Sequence, residues 1–145
     1  MKMYSGVIKV IGNANCVSLI DYVGYFYYQR TGSIMGEEYS LKRLDALEAF
    51  ERRYRYIVQN FPELETQARI SVFANCIYHG QMALRFLRGD EQREAFERLI
   101  VITKRYPIKR KEYSSFKMTH RLWLDLAKLS LRSCCNIKNL IGVGM

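Results

Sequence analysis

The chain has 145 residues, 49% of them hydrophobic and 13% aromatic, and a net charge of +9. That length and apolar content suffice for one real core and exclude a disordered tail, and no run of about eighteen apolar residues exists to make a transmembrane helix. The amino end lacks a signal-peptide pattern, and Cys16, Cys76, Cys134 and Cys135 are not spaced as zinc or disulfide pairs, which predicts no metal on this chain and fits a reduced cytoplasm.

In chain order, residues 1–15 carry Val7, Ile8, Val10 and Ile11 before Gly12-Asn13, a series that fits either a short helix or a strand. Cys16-Val17-Ser18-Leu19-Ile20 reads as a short strand. Through the loop Asp21-Tyr22-Val23-Gly24 it pairs as a β-hairpin with the aromatic strand Tyr25-Phe26-Tyr27-Tyr28. Arg30 then brings a forked, permanently charged donor to a turn where Gly32 allows close backbone approach, and Ser33 adds a hydroxyl. That arrangement suits a phosphate or a sugar, with Tyr27 and Tyr28 as candidates for ring contacts to sugar or base.

The stretch Tyr25-Phe26-Tyr27-Tyr28-Gln29-Arg30-Thr31-Gly32-Ser33-Ile34-Met35, with Ile20-Asp21 before it, resembles the tail of bacterial family-2 glycosyltransferases that build capsule, exopolysaccharide or lipopolysaccharide. In that family a Tyr-x-Tyr-x-x-Arg strand followed by Ser-Ile closes the GT-A catalytic domain, and a helical tail comes next. The likeness continues more loosely through Tyr39-Ser40-Leu41-Lys42-Arg43-Leu44-Asp45 and Asn60-Phe61-Pro62-Glu63-Leu64. It implies a helix for residues 1–15, places Arg30 and Ser33 near the diphosphate of a nucleotide-sugar donor, and implies Mg or Mn in the complete enzyme. The family's Asp-x-Asp element is absent from this chain, and Asp21 is the only acidic residue before Tyr25. The expectation is therefore a C-terminal piece that is inactive alone.

Beyond a polar link at 36–39, two prolines and nine glycines leave long segments uninterrupted, so helices should dominate. Ser40 is placed to cap a helix whose stripe is Leu41, Leu44, Leu47, Phe50, Tyr54, Ile57 and Val58. Phe61-Pro62 ends it, and a second helix runs from about Pro62 to Leu87 with His79 beside its apolar band, where a lone histidine reads as packed. Gly89 and Asp90 separate this from a third helix ending at Arg105. A last helix starts at Ser114 or Ser115 and carries Met118, Leu122, Trp123, Leu126 and Leu129. Past Leu131 the helical period is lost and the final residues should fray.

Charge is concentrated. Residues 104–121 hold Lys104, Arg105, Lys109, Arg110, Lys111, Lys117 and Arg121 against Glu112, a net +6 of the chain's +9. This segment reads as a solvated face or as a contact for anionic headgroups, with Trp123 at the interface. Nucleic acid is not expected, because no recognition motif accompanies the charge.

The fold expected is mainly α, a helical bundle of about four helices with a short N-terminal β-hairpin. Residues 1–36 form the remnant of a GT-A domain and 37–145 a helical C-terminal domain. Two functions compete: part of a glycosyltransferase moving a sugar from a nucleotide-sugar to a glycan acceptor, cytoplasmic and peripheral at the inner membrane face, or a non-enzymatic basic helical adaptor for an anionic membrane surface or a protein partner. A homo-dimer through the apolar patch at 25–35 is a further expectation.

Overall fold

The computed structural model describes residues 3–18, 21–22 and 39–143. Among them are six α-helices and no strand: α1 (Met3–Gly12), α2 (Asp45–Asn60), α3 (Glu65–Phe86), α4 (Gly89–Arg105), α5 (Met118–Leu129) and α6 (Leu131–Leu140), with short 3-10 turns at Leu41–Leu44, Pro62–Leu64 and Arg110–Tyr113. The mainly α expectation holds, with six helices in place of about four. Of the expected hairpin, 16–18 are described and form no strand, while the aromatic strand Tyr25-Phe26-Tyr27-Tyr28 lies outside the described residues.

The bundle is built around α3. It packs against α2, α4 and α6, while α5 joins through α6 and α1 lies against α2. Ala68, Ile70, Val72, Phe73, Cys76, Ile77, His79, Gly80, Gln81 and Ala83 are all buried, so the helix is covered on more than one side. An apolar band this wide calls for several neighbours, which α3 has.

Local chemistry sets the corners. Ser40 is extended and its side chain makes no cap; its carbonyl accepts the Arg43 N–H at 2.9 Å, so the chain enters α2 through a 3-10 turn. Pro62 pushes Phe61 out of helical geometry (φ −144°, ψ 65°), which closes α2. At the α3–α4 corner Gly89 takes φ +54°, a conformation open to glycine. Arg88 Nη1 donates to the carbonyls of Leu84, Arg85 and Leu87, covering the orphan acceptors at the end of α3.

The C-terminal third departs most from expectation. The last long helix begins at Met118, not at Ser114 or Ser115, because the chain first makes the turn 110–113 and buries Tyr113 completely. Tyr113 donates to Asp125 Oδ1 at 2.5 Å, and burial together with that bond pushes its phenol up to about 12. At Ser130 the helix breaks and restarts. The residue is extended (φ −154°, ψ 107°), ends α5, and its Oγ accepts the Ser133 N–H at 3.2 Å to open α6.

Residues 131–140 are thus a helix, contrary to the expected loss of period. Leu131, Cys134, Cys135 and Lys138 form its buried stripe at i, i+3, i+4 and i+7. The seam with α3 is tight: a Cβ on Gly80 would lie 2.6 Å from Cys135 Sγ. Cys76, Cys134 and Cys135 are core residues, and burial pushes their thiols up to about 12, 11 and 12. The segment expected to fray is tied down as far as Val143. Gln81 Nε2 donates to Asn139 Oδ1 (3.3 Å) and to the Val143 carbonyl (3.1 Å), and Asn139 Nδ2 returns a bond to the Gln81 carbonyl (3.1 Å).

Candidate functional site

Arg30, Ser33, Tyr27 and Tyr28, the residues predicted to meet a nucleotide-sugar, lie outside the described residues. The basic set is described. Lys104 and Arg105 end α4, Lys109, Arg110 and Lys111 form the following turn, and all five are exposed. The turn is held by Glu112: the Lys109 N–H donates to Glu112 Oε2 (2.7 Å), and Glu112 Oε1 accepts from Arg69 Nη2 of α3 (2.6 Å). Arg105 is spent on Glu51 of α2 (2.8 Å), and Arg110 lies 3.4 Å from Asp125. Lys104, Lys109, Lys111, Lys117 and Arg121 have no carboxylate within salt-bridge distance among the described residues, so much of the local charge faces outward.

Next to this turn α5 exposes apolar surface. Met118, Leu122 and Leu129 are 81, 62 and 85% exposed. They recur one turn and then two turns along the helix, which puts them on one face. Lys117, Arg121 and Lys128 repeat the same spacing and border that face. The opposite side carries Leu124 and Ala127 into the core. An apolar strip flanked by cations thus stands out from a helix already buried on its other side.

Trp123 is not part of the exposed strip. It is half-buried in a cavity of about 220 Å³ between α3, α5 and α6, whose lining includes Tyr78, Gln81, Phe116, His120 and Lys138. Lys138 Nζ sits 4.9 Å from the Trp123 ring centroid, a cation–π contact. Sequence reasoning assigned Trp123 to an outer interface and missed Lys138 altogether. The signal available was the spacing of Lys138 from Leu131, Cys134 and Cys135, which marks it as inward-facing once 131–140 is read as a helix.

A second, more open groove of about 430 Å³ runs between α2 and α4, floored by Leu47 and Val101 and rimmed by Glu48, Glu51 and Arg105. Glu48 pairs with Arg52 and Glu51 with Arg105, so its rim charges are largely balanced. His79 is 5% exposed, and its Nδ1 lies 2.8 Å from the Tyr39 hydroxyl. Burial drives its pKa down to about 4, so it is neutral at pH 7 and packed, as its position in the apolar band implied. Among the described residues no group of three or more His, Cys, Asp or Glu is placed to hold a metal ion, and no helix is long and apolar enough to cross a membrane.

Comparison with known proteins returned nothing: no family model matches the chain, and neither a curated protein nor a solved structure matches it.

Proposed function

We propose that the chain is the C-terminal part of a bacterial family-2 glycosyltransferase that moves a sugar from a nucleotide-sugar donor to a growing surface glycan. The stretch Tyr25 to Met35 carries this reading, with its Tyr-x-Tyr-x-x-Arg and Ser-Ile pattern. The helical body beginning at Leu41 supports it, because a helical tail follows that strand in the family. In the complete enzyme Arg30 and Ser33 contact the donor diphosphate, and Tyr27 and Tyr28 contact sugar or base. A Mg or Mn ion would there stabilise the departing diphosphate, but this chain has no Asp-x-Asp to hold one. The chain alone performs no transfer.

Sequencing the coding DNA upstream of Met1 tests this. An open frame running into an α/β domain with an Asp-x-Asp element is the expected result, and stop codons in that frame overturn it. In the joined enzyme Arg30→Ala should lower transfer while leaving folding intact.

The face of α5 supports a second reading, a basic helical adaptor that docks on anionic membrane. Met118, Leu122 and Leu129 would enter the headgroup boundary while Lys117, Arg121 and Lys128 meet lipid phosphates, each cation contributing about 1 kcal/mol near the surface. Binding should require anionic vesicles and weaken with salt. Equal binding to neutral vesicles would remove the electrostatic part of this reading.

A further inference from the structure

We propose that the cavity between α3, α5 and α6 binds a small organic carboxylate with a flat apolar body. The proposal stands apart from the transferase reading, since it concerns a different part of the chain and a different ligand.

The charge on Lys138 motivates it. The residue is only 9% exposed, lines the cavity, and has no carboxylate within salt-bridge distance among the described residues. Its stem is packed away while its ammonium, 4.9 Å from the Trp123 ring centroid, still meets solvent at the cavity, where a carboxylate would pair with it. The neighbouring thiols of Cys134 and Cys135 offer no counter-charge, because burial keeps both protonated. An anion entering the cavity would complete the site.

The walls define the rest of the ligand. Tyr78, Phe116 and Trp123 present aromatic surface, and His120 at the exposed side offers a ring nitrogen. One ammonium suits a carboxylate better than a phosphate dianion, which is usually met by several donors or an arginine fork. The pocket is open to solvent, and its volume of about 220 Å³ falls short of the ~300 Å³ at which drug-sized sites begin. It therefore fits one ring with a short acid arm and is too small for a nucleotide-sugar.

Trp123 is the chain's only tryptophan, so its fluorescence reports the cavity directly. The whole protein is titrated with 3-phenylpropanoate and with its neutral amide. The acid should give a saturable change in Trp123 emission, and the amide should bind about tenfold more weakly or worse. Lys138→Met keeps the apolar stem and removes the cation; it should lower affinity for the acid about tenfold with the helical circular dichroism retained. Should that variant fail to fold, Ala74→Leu serves instead. Ala74 is an exposed residue on the cavity wall, and the larger side chain should abolish the response by filling the space. Equal binding of acid and amide, a response that never saturates, or unchanged binding in the folded variants would overturn the proposal. So would an identical Trp123 response to anionic phospholipid vesicles alone, which would assign the site to lipid.

Discussion

The centre of the bundle and its basic rim use the same helical periodicity for opposite ends. Along α3 ten residues are buried, and even the polar His79 and Gln81 are enclosed and hydrogen-bonded. Along α5 the inner face is covered, while Met118, Leu122 and Leu129 stand in solvent beside cations. Core packing is therefore concentrated around α3, while α5 presents apolar and basic side chains together on its outer face. Substitutions in the two regions should separate these properties cleanly.

The largest expected effect is a pH effect at the centre. His79 is held neutral by burial, with its pKa lowered from 6.5 to about 4, while the unfolded chain takes up a proton between those values. The stabilisation is full above the unfolded value and is lost as pH falls toward the folded one, in total roughly 3 kcal/mol. Urea unfolding at pH 7 and pH 4 should show the loss, and His79→Gln should flatten the slope in that window. A slope unchanged by the substitution would move the acid sensitivity elsewhere.

Gly80→Ala comes next. The new Cβ would meet Cys135 Sγ at 2.6 Å, in a site with no open side, and overpacking of this kind costs about 2 kcal/mol even against the helix preference of alanine. Pairing it with Cys135→Ala should recover part of the loss, a coupling readable in a double-mutant cycle. Additive losses would show that α3 and α6 do not meet there.

At the boundary between the regions, Glu112→Ala removes both the Arg69 bond and the bond to the Lys109 N–H, at a cost of about 1 kcal/mol in denaturant unfolding. The smallest effect belongs to the rim. Leu129→Ser should change stability by less than about 0.5 kcal/mol, yet reduce binding to anionic vesicles. A large stability loss there would mean that α5 contributes to the core from both faces.

The legibility of the sequence follows the same division. Helices α2, α3 and α4 were readable because leucine, isoleucine and phenylalanine recur at helical intervals and Pro62 and Gly89 punctuate them. The helix α6 was not, since its inward stripe of Leu131, Cys134, Cys135 and Lys138 includes a charged residue and is set among Arg132, Ser133, Asn136 and Asn139, which dilute the apolar signal. The start of α5 was misplaced for a related reason: Tyr113 looks like one more polar-segment residue until its hydroxyl is seen to donate to Asp125, within α5. The spacing of Lys138 from Leu131, Cys134 and Cys135 marks it as inward-facing, but its place beside Trp123 and the wall formed by α3 depends on long-range pairings that no local pattern encodes. The donor-contact residues Arg30, Ser33, Tyr27 and Tyr28 were legible only through resemblance and lie outside the described residues.

The seam between Gly80 and Cys135 also dictates an order of events during synthesis. Its two halves are far apart in the chain, so α3 emerges from the ribosome with one side bare and must wait for residues 131–143 before Cys135 and Asn139 can close over it. A contact of such long sequence separation forms late and exposes apolar surface meanwhile. A nascent chain stalled before Leu131 should be a chaperone client, whereas release of residues 131–143 lets α6 cover that side of α3.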